Sequence, residues 1–368
     1  MKENERLLSL DALRGFDMLF IMGFSTFVIA LCSLFPGGAD SLLAQTMKHA
    51  EWHGFTHHDT IFPLFLFLAG VSFPFSYAKS LAGGATKCQI YLKIAKRMLL
   101  LILFGLIYNG LFKFDFEHLR VCSVLGRIGV AWAISAVLYM NFGRVSRAVI
   151  CGVILVAYYL IVCYIPAPDV EGADPLTMQG SIVGYLDRIL TPGRLIYDNG
   201  RFDPEGFFST LPAVVSAMLG IFAGEFVCSE KYSGSRKSLV MLIAAAVMLA
   251  VGLLWSVEFP LNKKLWTSSF VLVVGAYSLA MFAIFYYVVD VRGWQRWTLP
   301  LRIIGMNSIT IYMAQRIIAF KSVSKFFLGG VADQLPPLWG NVVMTGGYVL
   351  VCWLFLYFLY KKRIFLKI

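Results

Sequence analysis

The segment HAEWHGFTHHDTIFPLFLFLAG, residues 49–70, passes from a polar, histidine-rich stretch into a strongly apolar run. The polar part holds four of the chain's five histidines within ten residues. The apolar part has the composition of the start of a membrane-spanning helix. Histidine is the side chain whose unperturbed pKa lies nearest neutrality. The segment therefore predicts a proton-exchanging site at the end of a membrane helix.

The composition of the whole chain supports a membrane protein. Of its 368 residues, 59% are hydrophobic and only 14% are charged, whereas soluble domains average about 45–50% and about 25%. The net charge of +11 fits basic cytoplasmic loops. We find no glycine-rich phosphate loop and no nucleic-acid motif, so no nucleic-acid partner is expected. The seven cysteines form no CxxC pair, which is typical of reduced, buried thiols.

The hydropathy pattern predicts an all-α, polytopic integral membrane protein with about ten transmembrane helices. A spanning helix needs roughly 20 apolar residues, and residues 1–368 are expected to form a single transmembrane domain without a separate soluble domain. The predicted spans are 12–35, 60–78, 97–114, 122–141, 146–166, 207–228, 238–257, 265–289, 301–320 and 340–360.

The distribution of Lys and Arg predicts the orientation. The loops on the side of both termini hold 19 of these residues, and the opposite loops hold 10. Since basic loops stay in the cytoplasm, both termini are expected there. The long loop 167–206 and the histidine-rich loop 36–59 would then face outward.

Charged residues inside predicted spans are functional hypotheses by default, because a charge in a bilayer is costly. Asp11, Arg14 and Asp17 lie roughly on one face of the first helix. Arg14 either binds a phosphate near the cytoplasmic face or extends to the surface. Arg127 of the fourth span either lies at the interface or lines a cavity.

Three further polar motifs have both structural and functional interpretations. Asn307 and Ser308 can bridge helices or line a polar cavity. Asp203 is expected to cap a helix, with Pro204 in its first turn and Glu205 at the positive end of its dipole. Trp266 is expected to anchor a helix at the membrane interface.

The histidine cluster itself does not predict a metal site. His57 and His58 are adjacent and would diverge on a helix, and no HExxH or comparable ligand spacing is present. One of the histidines is instead expected to act as a general base at the membrane surface. The spacing does not say which one.

Six motifs in this order resemble the heparan-α-glucosaminide N-acetyltransferase family, which includes the lysosomal transmembrane enzyme and bacterial relatives. The resemblance extends over about residues 8–320. The motifs are SLDALRGFDM, KHAEWHGFTHHDTIFPLFLFLAGVSF, LGRIGVAW, FDPEGFFSTLPAVVSAMLGIFAG, LNKKLWTSSFVL and GMNSITIY.

The resemblance implies an enzyme that moves acetyl from cytosolic acetyl-CoA to the amine of an amino sugar across the membrane. The acceptor would be a terminal glucosamine, as in heparan sulfate. In the family pattern K-H-A-x-W-x-G-x-T-x-x-D, the catalytic His matches His49, the Trp matches Trp52 and the Asp matches Asp59. The family usually has Asn at the position of His53, and Asn in the middle of the first helix, where this chain has Ser25.

Roles for the remaining candidates follow from the resemblance. His49 would be the base or the acyl carrier, and Asp59 would orient it. The residues expected to contact coenzyme A are Arg14, Arg97, Arg127, Arg302, Asn307 and Ser308. The residues expected to contact the acceptor are Trp52, His53, Asp203, Glu205 and Trp266.

The resemblance also implies a location and partners. We expect a multi-pass protein of the bacterial inner membrane with lipid, coenzyme A and an amino-sugar or glycan acceptor as partners, and a homodimer as one assembly. No metal cofactor is expected. Two alternatives are a secondary transporter with a His/Asp proton relay and a polysaccharide O-acyltransferase.

Overall fold

Most of the described residues are helical, as expected for a backbone that must satisfy its own hydrogen bonds inside a bilayer. The computed structural model describes residues 7–366, apart from the side chain of Asp198, and this range contains fifteen α-helices and no extended strand. The helices are α1 Leu8–Leu19, α2 Ser25–Cys32, α3 Leu42–Thr46, α4 His57–Ala82, α5 Lys87–Asn109, α6 Val124–Asn141, α7 Arg144–Tyr164, α8 Ile182–Leu190, α9 Thr210–Cys228, α10 Gly234–Trp255, α11 Ser268–Phe285, α12 Leu299–Met306, α13 Ser308–Ile317, α14 Phe320–Asp333 and α15 Pro337–Lys361.

The prediction of an all-α polytopic membrane protein is confirmed, although fewer helices meet the requirements of a span. Within residues 7–366, eight helical segments rather than ten are long and apolar enough to cross a membrane. They are Leu8–Cys32, His57–Ala82, Val124–Asn141, Arg144–Tyr164, Thr210–Cys228, Gly234–Trp255, Ser268–Val291 and Pro337–Lys361.

Two of the ten predicted spans, the third and the ninth, are not among these eight, and each has an identifiable reason. The third predicted span lies in α5, which carries Lys93, Lys96 and Arg97 in its first half. The ninth is divided into α12 and α13, because Asn307 leaves the helical conformation with φ −127° and ψ 30°. Each half is therefore too short to cross a bilayer alone.

The first span is interrupted as well. A π-helical turn, Phe20–Phe24, joins α1 to α2, and its Gly23 has φ +109°. Only glycine adopts this conformation without strain. Such wide turns rotate the side chains that follow and often occur at functional sites. Here the next residue is Ser25.

The chain divides into two compact units. Among the described residues, the larger unit comprises 51–54 and 62–283, and the smaller unit comprises 7–50, 55–61 and 284–366. In the smaller unit α1 and α12 cross at glycines. A Cβ at Gly15 would lie 1.7 Å from the Leu301 carbonyl oxygen, and one at Gly305 would lie 1.9 Å from that of Asp11. Only residues without a Cβ allow the two backbones to come this close.

In the larger unit, the long 167–206 segment is a folded lobe. It contains α8 and the isolated β-bridges Pro166–Ser181 and Tyr197–Phe202. A buried apolar cluster fixes the lobe to the neighbouring helices: Tyr158, Val162, Ile182, Val183, Phe202, Phe259 and Leu265. The segment that hydropathy identifies only as a loop therefore has a hydrophobic core.

Candidate active site

His49 and Asp59 form a hydrogen-bonded pair in the smaller unit. Asp59 lies in the first turn of α4, and the chain before this helix folds back so that His49 Nδ1 is 2.8 Å from Asp59 Oδ1. The backbone N–H of Ala50 and the hydroxyl of Thr56 donate to Asp59 Oδ2 at 3.2 Å and 2.9 Å. The carboxylate is buried and has three donors, which hold it in one orientation.

This arrangement determines which nitrogen of His49 can react. An ionised carboxylate only accepts hydrogen bonds, so Nδ1 carries the proton and Nε2 carries the lone pair. The His49 side chain is about half exposed, at 50%. A half-exposed imidazole oriented by a buried carboxylate has the geometry of a general base or a nucleophile.

A second imidazole lies directly against His49. The ring centroids of His49 and His58 are 4.3 Å apart, and Ser25 Oγ is 3.1 Å from His58 Nδ1. His57 instead packs against Phe20, with a centroid distance of 4.4 Å. The tertiary structure thus separates two adjacent histidines into a polar and an apolar environment.

The smaller unit also holds four of the predicted coenzyme A residues. The backbones of Gly15 and Leu301 touch at the α1–α12 crossing. Arg14 and Arg302 are the adjacent residues in the sequence, so both lie at this crossing. Arg302 Nε is buried and has no hydrogen-bond partner among the described residues. An orphaned guanidinium nitrogen suits an anionic group such as a phosphate. Asp11 and Asp17 on the same helix are buried and do not extend to the surface.

Asn307 has a structural role at the break between α12 and α13. Its Nδ2 donates to the Ile364 carbonyl at 3.1 Å, and its Oδ1 accepts from Thr310 Oγ1 at 3.2 Å. Ser308 is the first residue of α13. Contact of Asn307 and Ser308 with the donor stays a prediction.

The other two arginines predicted to bind coenzyme A belong to the larger unit. Arg97 lies 4.2 Å from the ring centroid of Trp132. Arg127 is almost fully buried and donates from Nη2 to the Gly206 carbonyl at 3.2 Å and to the Ser209 hydroxyl. Arg127 therefore joins α6 to the start of α9, and it is not a side chain that extends to the interface.

Trp266 is not an interfacial anchor, because its side chain is fully buried in the larger unit. Its Nε1 donates to Ser216 Oγ at 3.2 Å, and its ring contacts Phe62 edge-on at a centroid distance of 5.0 Å. Arg127 lies 5.1 Å from the ring centroid. Trp266 thus supports Arg127 from the core, and direct contact with an acceptor stays a prediction.

Asp203 does not cap a helix, contrary to expectation, since α9 begins only at Thr210. Arg120 binds the Asp203 carboxylate with two hydrogen bonds of 2.7 Å and also contacts Glu205. Burial alone would lower the pKa of Arg120, but hydrogen bonds and attraction from both carboxylates outweigh it and raise this pKa. Asp203 and Glu205 are therefore engaged in a partly buried ion triad.

Trp52 and His53 follow His49 in sequence and belong to the larger unit. Trp52 Nε1 donates to the Leu176 carbonyl at 2.8 Å, and His53 Nδ1 is 3.4 Å from Asn262 Nδ2. Burial lowers the pKa of His53, while Asp174 partly opposes the shift. In residues 7–366, no group of three His, Cys, Asp or Glu side chains is placed to hold a metal ion.

Comparison with known proteins shows which sequences this chain is similar to. A domain of unknown function, DUF5009, matches residues 6–113. Heparan-alpha-glucosaminide N-acetyltransferases of Homo sapiens and Mus musculus are each 28% identical to the chain, over 87% of its length and 56% of theirs. The chain thus spans about half the length of these curated relatives. The resemblance predicted from six motifs is confirmed: over 87% of its length, this chain is similar to heparan-alpha-glucosaminide N-acetyltransferase.

Proposed function

We propose that the chain is a transmembrane N-acetyltransferase that moves acetyl from cytosolic acetyl-CoA to the amine of an extracytoplasmic amino sugar. The observation that carries the proposal is the His49–Asp59 pair, at 2.8 Å, in a chain related to N-acetyltransferases. A terminal glucosamine is the acceptor that the relatives' name suggests. The proposal treats residues 1–368 as a single transmembrane transferase domain.

His49 supplies the central step of the proposed reaction. An amine attacks a thioester only in its neutral form, and the Nε2 lone pair of His49 can take the proton that the nitrogen loses. Asp59 holds His49 in the required tautomer, as a buried carboxylate does for other catalytic imidazoles. The same Nε2 can instead accept the acetyl group covalently. Acetyl label that stays on the protein when no acceptor is present would distinguish this second route.

The smaller unit has residues that fit coenzyme A, which supplies the activated acetyl group. Arg14 and Arg302 would bind its phosphates at the α1–α12 crossing, and the orphaned Nε of Arg302 supports this assignment. Arg14 and Ser25 are eleven residues apart on the first span, which is about 16 Å along a helix axis. An extended pantetheine arm has a comparable length, so phosphates near Arg14 would leave the thioester near His58 and His49.

The location and the acceptor contacts are part of the same proposal. The excess of Lys and Arg on one side supports cytoplasmic termini, and we propose the bacterial inner membrane as the site. Trp52 and His53 closely follow His49 in the sequence, and we propose that they contact the sugar. Arg120 forms ion pairs with both Asp203 and Glu205. These carboxylates would therefore attract a cationic acceptor only through the net negative charge of the three residues.

The first experiment measures transfer of labelled acetyl from acetyl-CoA to glucosamine by the purified protein in detergent. We expect transfer by the wild type and none above background by His49→Ala, with coenzyme A binding retained. His118→Ala is the matched control, since His118 also pairs with an aspartate, Asp115 at 2.9 Å, but both side chains are largely exposed. Absence of both transfer and coenzyme A binding in the wild type would contradict the proposal.

A secondary transporter is the alternative function, and one observation favours it. The smaller unit contains two interrupted helical segments, at Gly23 and at Asn307, and interrupted helices form the substrate sites of many transporters. A transporter would move a sugar or protons across proteoliposomes without binding coenzyme A. An O-acyltransferase would instead acetylate a sugar that has hydroxyl groups but no amine.

A further inference from the structure

We propose that His58, positioned by Ser25, is a second catalytic histidine that carries the proton from His49 to the sulfur of the leaving coenzyme A. This inference rests on the proposed acetyltransferase function. It assigns roles to two residues for which the motif pattern specifies none. His58 occupies an x position of K-H-A-x-W-x-G-x-T-x-x-D, and Ser25 lies outside this motif. Its basis is the juxtaposition of Ser25, His58, His49 and Asp59 in the smaller unit.

The two imidazoles are held in the same manner. Asp59 binds His49 at Nδ1, and the hydroxyl of Ser25 lies 3.1 Å from His58 at Nδ1. Ser25 is buried, with 5% of its surface exposed. A hydroxyl can accept from Nδ1–H or donate to a deprotonated Nδ1. Asp59 and Ser25 thus engage Nδ1 of each ring, and the proposal assigns proton exchange to Nε2 of each ring.

The imidazole rings of His49 and His58 are in contact with each other. Their centroids lie 4.3 Å apart in an edge-to-face arrangement, which brings ring atoms of one imidazole into contact with the other. The arrangement depends on the π-helical turn before Ser25, since Gly23 at φ +109° rotates the following helix. Ser25 and His58 are 33 positions apart in the chain, so only the fold joins them.

In acetyl transfer one proton must travel from the amine to the sulfur, and the proposed route has three transfers. As the amine nitrogen bonds to the acetyl carbon, His49 Nε2 takes one proton from that nitrogen. His49 then passes this proton on to His58 Nε2. As the carbon–sulfur bond breaks, His58 donates the proton to sulfur, whose electron pair would otherwise leave as a thiolate. The amine has lost one proton, the thiol has gained one, and both imidazoles are again neutral.

Kinetic variants separate this role from a structural one. We expect His58→Gln to lower kcat by about 10²-fold or more, as is typical for loss of a general acid, with little change in KM for either substrate. Added imidazole should restore part of the kcat of His58→Ala, because a small base can enter the space left by the side chain. Ser25→Ala should cause a smaller loss, and Ser25→Thr, which keeps the hydroxyl, should recover it. His118→Gln is the control.

A spectroscopic measurement tests the positioning role of Ser25 without turnover. With only five histidines in the chain, selective ¹⁵N-histidine labelling gives five pairs of imidazole nitrogen signals, and His58→Gln identifies the pair of His58. We expect Ser25→Ala to change the Nδ1 signal of His58 while the His49 signals keep their tautomer. Unchanged imidazole signals would overturn the positioning role.

The outcomes distinguish this inference from the function on which it rests. An active wild type whose kcat is unaffected by His58→Gln would overturn the role of His58 and leave the transferase intact. A kcat loss that imidazole does not reverse, or a loss confined to KM, would also overturn it. Absence of transfer by the wild type to any amino sugar would contradict the proposed function itself.

Discussion

At the scale of single residues, the candidate site depends on one buried carboxylate. Asp59 is 1% exposed and accepts from His49, from the Ala50 backbone and from Thr56. A buried charge requires such partners, because an unpaired one would cost several kcal/mol. Of these three hydrogen bonds, the one from His49 Nδ1 also orients the imidazole.

Replacing this carboxylate by an amide tests the tautomer directly. In Asp59→Asn, the amide can donate to His49 Nδ1, which moves the imidazole proton to Nε2 and blocks the base. We expect a loss of kcat on the order of 10²–10⁴-fold, measured in the acetyl-transfer assay. Asp115→Asn is the control, since the Asp115–His118 pair is exposed. Equal activity of Asp59→Asn and wild type would contradict the assigned role.

At the scale of elements, the α1–α12 crossing organises the smaller unit. Gly15 and Gly305 allow the two helix backbones to meet, and this contact brings Arg14 and Arg302 to the same crossing. Small residues at helix contacts are typical of membrane proteins, where close packing rather than hydrophobic exclusion drives association. The packing of α1 on α12 is therefore the structural basis of the proposed phosphate site.

A methyl group at this crossing should separate the helices. In Gly15→Ala the new Cβ would lie 1.7 Å from a backbone oxygen, which only a shift of a helix can relieve. We expect destabilisation of about 1–3 kcal/mol or more, seen as a lower Tm in detergent, together with weaker coenzyme A binding. Gly152→Ala is the control, because a Cβ there meets no atom within 4 Å. A Tm equal to that of the wild type would show that the crossing is looser than this structure.

At the scale of the whole molecule, the stability should depend on pH through a buried acid in the 167–206 lobe. Asp187 on α8 is fully buried, and its Oδ1 accepts from the Phe207 backbone at 2.9 Å. Burial raises the pKa of Asp187 to about 7, although Arg127 and the Phe207 N–H oppose the shift. The folded chain therefore keeps this proton at pH values where the unfolded chain has lost it.

The sign of the effect follows from this difference in proton binding. Between about pH 4 and pH 7 the folded state binds more protons, so the free energy of unfolding falls as the pH rises through this window and then levels off. We expect the Tm of the wild type to fall over this range, and Asp187→Asn, which cannot ionise, to show a smaller fall. Asp40→Asn at an exposed position is the control. Parallel pH profiles of Asp187→Asn and wild type would contradict the assignment.

The sequence by itself determined the class of the protein, because hydropathy and helical hydrogen bonding are local properties. It predicted most membrane spans and, through motifs in a fixed order, the similarity to heparan-alpha-glucosaminide N-acetyltransferase. It also named His49 and Asp59 as candidates, whose catalytic roles stay a prediction. It could not separate the roles of His57 and His58, since adjacent residues look alike in a linear pattern. The third and ninth predicted spans also differ from expectation. Helix α5 includes basic residues that lower its hydropathy, and the break at Asn307 divides the ninth span into two short helices.

Only the tertiary structure decided which polar groups pair. Arg120 and Asp203 are 83 positions apart, and their ion pair replaced the helix cap that local sequence predicted at Asp203. Trp266 lies in the core under Arg127, where its sequence context predicted the interface. Ser25 meets His58 because a glycine with positive φ turns the first helix. The local sequence around a side chain indicates what it can bind. Its actual partner depends on which distant residue the fold places beside it.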